Sequence, residues 1–211
     1  MANFTRVGYG QVEPNQLSAQ KTGQSYAVLP LDPKVEVLQN GEFMFYDYAT
    51  GRVTAEGKGE PMLVFNEIKL YDDFWRTSYK DFAMIRVGDN YVTSKLATAG
   101  YGDGALTTGA SINPGHTEYP YRMDGIVPRM LKTNIGDVYS TNMVKTGVEY
   151  SVGDELQLEK VEHTGSDGVS KYNTLVLAKD VDTAVGTIKF VVGKVYTMPD
   201  GQPGLKLQRI A

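Results

Sequence analysis

Cysteine is absent from the 211 residues, which removes disulfide frameworks, thiolate nucleophiles, zinc-thiolate sites and iron-sulfur clusters together. Histidine is nearly absent. His116 and His163 would have to converge to make a triad or a two-histidine metal site, and each is read as a solvated loop histidine. Neither sign of charge dominates: residues 1–100 carry 10 basic and 12 acidic groups and the remainder carries 11 and 13, for a net charge of -4. With no basic tail or stripe, no nucleic-acid partner is expected. Long apolar runs are missing too, since stretches such as Met62 to Phe65 span only a few residues. The opening MANFTRVGYGQVEPNQ has no apolar signal-peptide core, so neither secretion nor a membrane span is expected. The glycosylation tripeptide at Asn3-Phe-Thr5 then has no route to use.

What the chain does have is turn chemistry and alternation. It holds 23 Gly, 14 Tyr and 9 Pro with a 41% hydrophobic fraction, which favours many short strands over a helical bundle. The expected fold is mainly β: a hairpin-rich N-terminal region preceded by an extended arm, then a small C-terminal barrel or sandwich. Residues 1–25 form the arm, because their apolar residues are few and lack a period; it is either a disordered leader or a segment that orders by lying across a neighbouring subunit. Its anchors Phe4, Val7, Tyr9, Val12 and Leu17 are the candidate partner-binding residues. Deleting residues 2–25 is expected to leave a folded protein that has lost its partner.

Residues 26–121 read as a β-rich domain. Val35, Val37, Phe43 and Phe45 alternate with polar residues around Asn40-Gly41, which suits a type I′ hairpin turn. Ala49 to Arg52 makes the next turn and Pro61 to Phe65 the next strand, and a second hairpin folds about Gly88 to Asn90. Residues 66–82 suit a short helix or an irregular loop packed by its aromatics. The Gly-rich stretch 97–121 is a long loop, either a connection between two domains or an insertion within one. Residues 122–211 form the C-terminal unit, with six short strands divided by turn clusters such as Thr164 to Gly168 and Pro199 to Gly201.

Residues that could carry chemistry are scattered. Asp72-Asp73 and Asp180/Asp182 lack the further oxygen ligands of a calcium loop, and Gly100 to Gly104 lacks the Lys and the following helix of a phosphate cradle. No nucleophile elbow occurs. The reading is therefore of a non-enzyme with no catalytic residue, no metal and no cofactor. One aromatic series, Tyr71, Phe74, Trp75 and Tyr79, offers a platform for sugars, and a carbohydrate-binding β module is the alternative reading.

The polar opening MANFTRVGYGQVEPNQLSAQKTGQ running into YAVLPL, and the ending GKVYTMPDGQPGLKLQRIA, resemble those of tailed-bacteriophage virion proteins, head auxiliary proteins above all. The resemblance implies a structural protein that binds the capsid shell as a cement or decoration, or that anchors a fibre. It further implies a homo-oligomer whose partner is the major capsid protein or another virion protein. Such a protein is made in the host cytoplasm and located in the virion.

Overall fold

The computed structural model describes residues 4–6, 8–66, 82–87, 90–93, 127–198 and 201–211. Strand accounts for 46% of what is described and helix for 3%, and the large antiparallel sheet curls into a half-barrel. The fold is mainly β. In chain order the elements are β1 (Val12–Gln16), α1 (Ala19–Thr22), β2 (Ser25–Tyr26), β3 (Val37–Gln39), β4 (Phe43–Asp47), β5 (Arg52–Thr54) and β6 (Met62–Val64). They continue with β7 (Ala83–Val87), β8 (Asn90–Thr93), β9 (Met130–Leu131), β10 (Val138–Thr141), β11 (Glu155–Thr164), β12 (Lys171–Ala178), β13 (Lys189–Thr197) and β14 (Pro203–Arg209).

The C-terminal strands form where alternation and turn residues place them. Leu156 and Leu158 are fully buried on one face of β11 while their neighbours stay wet, and the Asp167-Gly168 turn returns the chain as β12 in continuous antiparallel register. The β13–β14 hairpin follows, with a bulge between Val192 and Lys194. Phe43 and Tyr139 each meet Phe190, with ring centroids 5.8 and 5.6 Å apart. These three side chains belong to β4, β10 and β13, which are not neighbours in the sheet, so their contact shows the sheet wrapped around its own core. Burying each such ring contributes about 1.5–3 kcal/mol.

Sheet order explains how the curl is held. The strands run β1-β10-β14-β13-β11-β12-β4-β6-β9-β2, with β5 attached to β4, so the two ends of the sheet are β1 and β2. These two strands are consecutive in the chain. Their sheet neighbours β10 and β9 are consecutive as well, so the links 17–24 and 132–137 lie together and fasten one end of the sheet to the other. Ser18 donates through its N–H and its hydroxyl to the Asp137 carboxylate, both at 3.0 Å, and Asn134 N–H donates to the same carboxylate at 2.8 Å. The Asn134 amide also donates to Ser18 Oγ at 2.7 Å and to Gln24 Oε1 at 2.9 Å. Asp137 is buried, so its acceptors are used within the protein.

Three expectations are corrected by this arrangement. Residues 4–25 are not an arm reaching for a neighbour: Phe4, Val12 and Leu17 are buried in the chain's own core, and β1 pairs with β10. The backbone of this segment is satisfied at home, with Phe4 N–H on Val148 O and Gln11 N–H on Asn142 Oδ1. Tyr9 is half-buried, its carbonyl taken by the Asn142 amide, and Val7 lies outside the described residues. The expected division into domains 26–121 and 122–211 is likewise not followed, because β4 and β6 share one sheet and one core with β9 to β14.

Nor do the strands flanking Asn40-Gly41 pair with each other. Only Gly41 takes a positive φ (90°), as in a type II turn, whereas a type I′ hairpin needs both residues there. Asn40 instead exchanges side-chain hydrogen bonds with the backbone of Asn66, at 2.8 and 2.7 Å. A Cβ on Gly41 would sit 2.5 Å from Met143 Cβ. The turn therefore splays the chain between sheets: β3 joins β7 and β8 in a separate three-stranded sheet, and β4 enters the half-barrel. The two strands of the second expected hairpin do pair, as β7 and β8. The segment 66–82, expected as a short helix or an irregular loop, and the 97–121 loop lie outside the described residues, apart from Asn66 and the buried Phe82.

Two stability measurements follow. Asp137→Ala strands two partly buried N–H donors, on Ser18 and Asn134, and should lower the unfolding free energy in urea by about 1–3 kcal/mol, and removal of residues 2–25 should abolish cooperative unfolding. Tyr139 is fully buried and its hydroxyl has no partner among the described residues, so Tyr139→Phe should raise the melting temperature.

Candidate functional site

The pleat of the β11–β12 hairpin brings titratable groups together. His163 lies directly across from Tyr172, and their rings stack with centroids 5.0 Å apart at 23°. Thr174, two residues along β12 and so on the same face, is completely buried, with Oγ1 2.8 Å from His163 Nε2. Pairing of Leu175 with Phe43 sets the start of β4 beside Thr174. The side chain there is Glu42, 1% exposed, which accepts from Thr174 Oγ1 at 3.0 Å and from Gln39 N–H at 2.8 Å.

Burial governs the electrostatics of this cluster. It pushes the Glu42 carboxyl up to about 7, against the opposing pull of its two hydrogen bonds and of the Arg6 charge. Burial also lowers His163, and the positive charge of Arg6 lowers it further. Arg6 lies below its ordinary value through desolvation, offset in part by Glu42, and its guanidinium donates to Met143 Sδ. His163 is thus not the solvated loop histidine expected from its sequence context but a half-buried strand residue.

A cleft opens beside Tyr172, which lines it. It measures about 590 Å³ and lies between the 32–35 segment, the β4–β5 hairpin and the start of β12. Three carboxylates (Asp32, Asp47 and Glu56) and three cations (Lys34, Arg52 and Lys171) line it. Several are already engaged: Asp47 holds the turn through Ala49 N–H and Thr50 Oγ1, Glu56 pairs with Lys160 at 3.0 Å, and Lys171 reaches Glu162. The hydrogen bonds to Thr50 and Ala49 hold Asp47 below its usual range, as Lys160 does Glu56. Exposed pairs of this kind contribute little stability.

No family model, curated protein or solved structure matches the chain.

The remaining sequence candidates do not gather into a site. Tyr71, Phe74, Trp75 and Tyr79, together with His116, Asp72, Asp73 and Gly100 to Gly104, lie outside the described residues. Asp180 and Asp182 are exposed in the β12–β13 connection. Among the described residues no group of three His, Asp or Glu side chains is placed to hold a metal ion, and no helix is long and apolar enough to cross a membrane. Sequence reasoning passed over Glu42, Thr174 and Arg6. The one available signal was an acidic residue directly ahead of the apolar run Phe43 to Tyr46, at a position the strand buries.

Because Glu42 binds its proton more tightly folded than unfolded, its contribution to stability is complete below the ordinary value of 4.5 and is lost as pH rises through about 7. The Glu42 contribution to the unfolding free energy should therefore fall by the order of 3 kcal/mol between about pH 5 and about pH 8, partly offset by His163, whose lowered value adds stability as pH rises. Glu42→Gln should flatten that profile in urea titrations and be more stable than wild type on the alkaline side.

Proposed function

We propose that this protein is a structural component of a tailed-phage virion, an auxiliary protein that docks on the major capsid shell through a rigid tyrosine face. The observation that carries the reading is a ladder of rings, Tyr26, Tyr46 and Tyr48, with successive centroids 5.9 and 6.1 Å apart. It begins half-buried at β2, passes through buried Tyr46 on β4 and ends at Tyr48 on the β4–β5 turn, 78% exposed. Val28 lies beside it, 72% exposed, its N–H 3.4 Å from Tyr46 Oη. Aromatic side chains held rigid by a sheet give large contact area for little lost conformational entropy, which is why tyrosine recurs at the centres of protein interfaces. The end-to-end fastening of the sheet supports the same reading, since a frame that does not flex presents this face in one orientation to every site on a repetitive shell.

The sequence resemblance to head auxiliary proteins supplies the identity of the partner, and the virion is the corresponding location. Contact is assigned to the tyrosine face and not to residues 4–25, whose anchors are used internally. Tyr48→Ala and Val28→Asp should each weaken binding to purified shells lacking the protein by about tenfold or more, with unfolding transitions unchanged. Undiminished occupancy by both variants, or wild-type protein that does not sediment with shells, would overturn the assignment.

A further inference from the structure

We propose that Glu42, Thr174 and His163 form a proton switch that sets how tightly the segment ahead of β1 is held through Arg6. The geometry imposes the coupling, because Thr174 carries one hydroxyl proton and touches both of the other groups. When Glu42 is ionised, its Oε1 accepts that proton, so Thr174 Oγ1 can only accept from the imidazole, and His163 must carry its proton on Nε2. When Glu42 is neutral, the proton resides on Oε1, because Oε2 already accepts Gln39 N–H. It then donates to Thr174 Oγ1, the threonine proton turns to Nε2, and His163 must carry its proton on Nδ1. One proton enters from solvent at the carboxyl, and the imidazole exchanges one site for the other through solvent with no net change.

The groups that face Glu42 come from each element packed on it. The segment ahead of β1 brings Arg6, β11 brings His163, and β12 brings Tyr172 with Thr174. Glu36, ahead of β3, acts on Tyr172 and is held by Ser166 N–H at 2.7 Å. β6 contributes only apolar side chains, and Arg86 on β7 donates to Pro33 O, away from the cluster. Arg6 is therefore the one cation acting on Glu42 among the described residues.

Linkage sets the direction. The Arg6 guanidinium is held on Met143 Sδ, and the Met143 side chain packs against Gly41, the neighbour of Glu42, so the Arg6 charge favours ionised Glu42 and by reciprocity protonating Glu42 weakens the hold on Arg6, leaving a desolvated guanidinium against the sulfur. Around Phe4 the docking then leans more heavily on the Phe4 ring against Tyr150 and on the backbone bonds Phe4 N–H to Val148 O and Gly147 N–H to Phe4 O. Acid thus loosens this segment while it strengthens the core, and the opposite signs distinguish a switch from general acid unfolding.

Amide hydrogen exchange and histidine ¹⁵N shifts on the intact chain test this. From about pH 8.5 to about pH 6, protection at Phe4 and Gly147 should fall at least about fivefold, amides of β13 should lose none, and His163 should pass from the Nε2–H to the Nδ1–H form. Glu42→Gln presents its NH₂ to Thr174 as the neutral carboxyl does, so it should show low protection and Nδ1–H at both ends of the range. Arg6→Met should remove the pH dependence at Phe4 while leaving the tautomer change. The proposal fails if protection at Phe4 and Gly147 in the wild type does not change with pH, if the change persists in Glu42→Gln, or if His163 keeps one tautomer throughout.

Discussion

The half-barrel depends on a seam. A curled sheet that stops short of closing leaves two edge strands with unpaired backbone groups, an arrangement that invites pairing with other chains. Here both edges belong to one continuous stretch of chain, so the links 17–24 and 132–137 draw them together, and the Asp137 carboxylate is the point at which the two links meet. A buried carboxylate that accepts three hydrogen bonds is held far more firmly than an exposed ion pair. Arg209 adds a second fastening nearby, donating to Glu60 and to Thr133 O, while Lys132 approaches the same glutamate at 3.5 Å. The contacts of Phe43, Tyr139 and Phe190 across the interior presuppose this closure.

The strands from β9 onward were legible because their signals are local: alternation along Glu155 to Thr164, a Gly-containing turn, and alternation again. The N-terminal segment was not, because its apolar residues are spaced by contacts and not by a period. Phe4 is placed by Tyr150 and Leu17 by the seam, both more than a hundred residues away in the chain. Asn40-Gly41 misled for the opposite reason, since a strong local preference was overridden when Asn40 found the backbone of Asn66.

Less of the candidate site could be read. His163 was visible as one of two histidines, but its half-burial follows from cross-strand register with Tyr172, which no short window reveals. Glu42 announced itself only as an acidic residue beside an apolar run. Its solvent exclusion arises from β12 lying alongside β4. A buried carboxyl is costly, and here it is tolerated because hydroxyl, amide and guanidinium groups surround it.

The seam also has a consequence for how the chain reaches its final form. Ser18 and Asp137 are 119 positions apart, and β1 waits for β10 as β2 waits for β9. During vectorial synthesis the first strands emerge long before the partners that cover them, leaving Phe4, Val12 and Leu17 without a core. Such high contact order slows closure and prolongs the interval in which a nascent chain can swap edges with another copy.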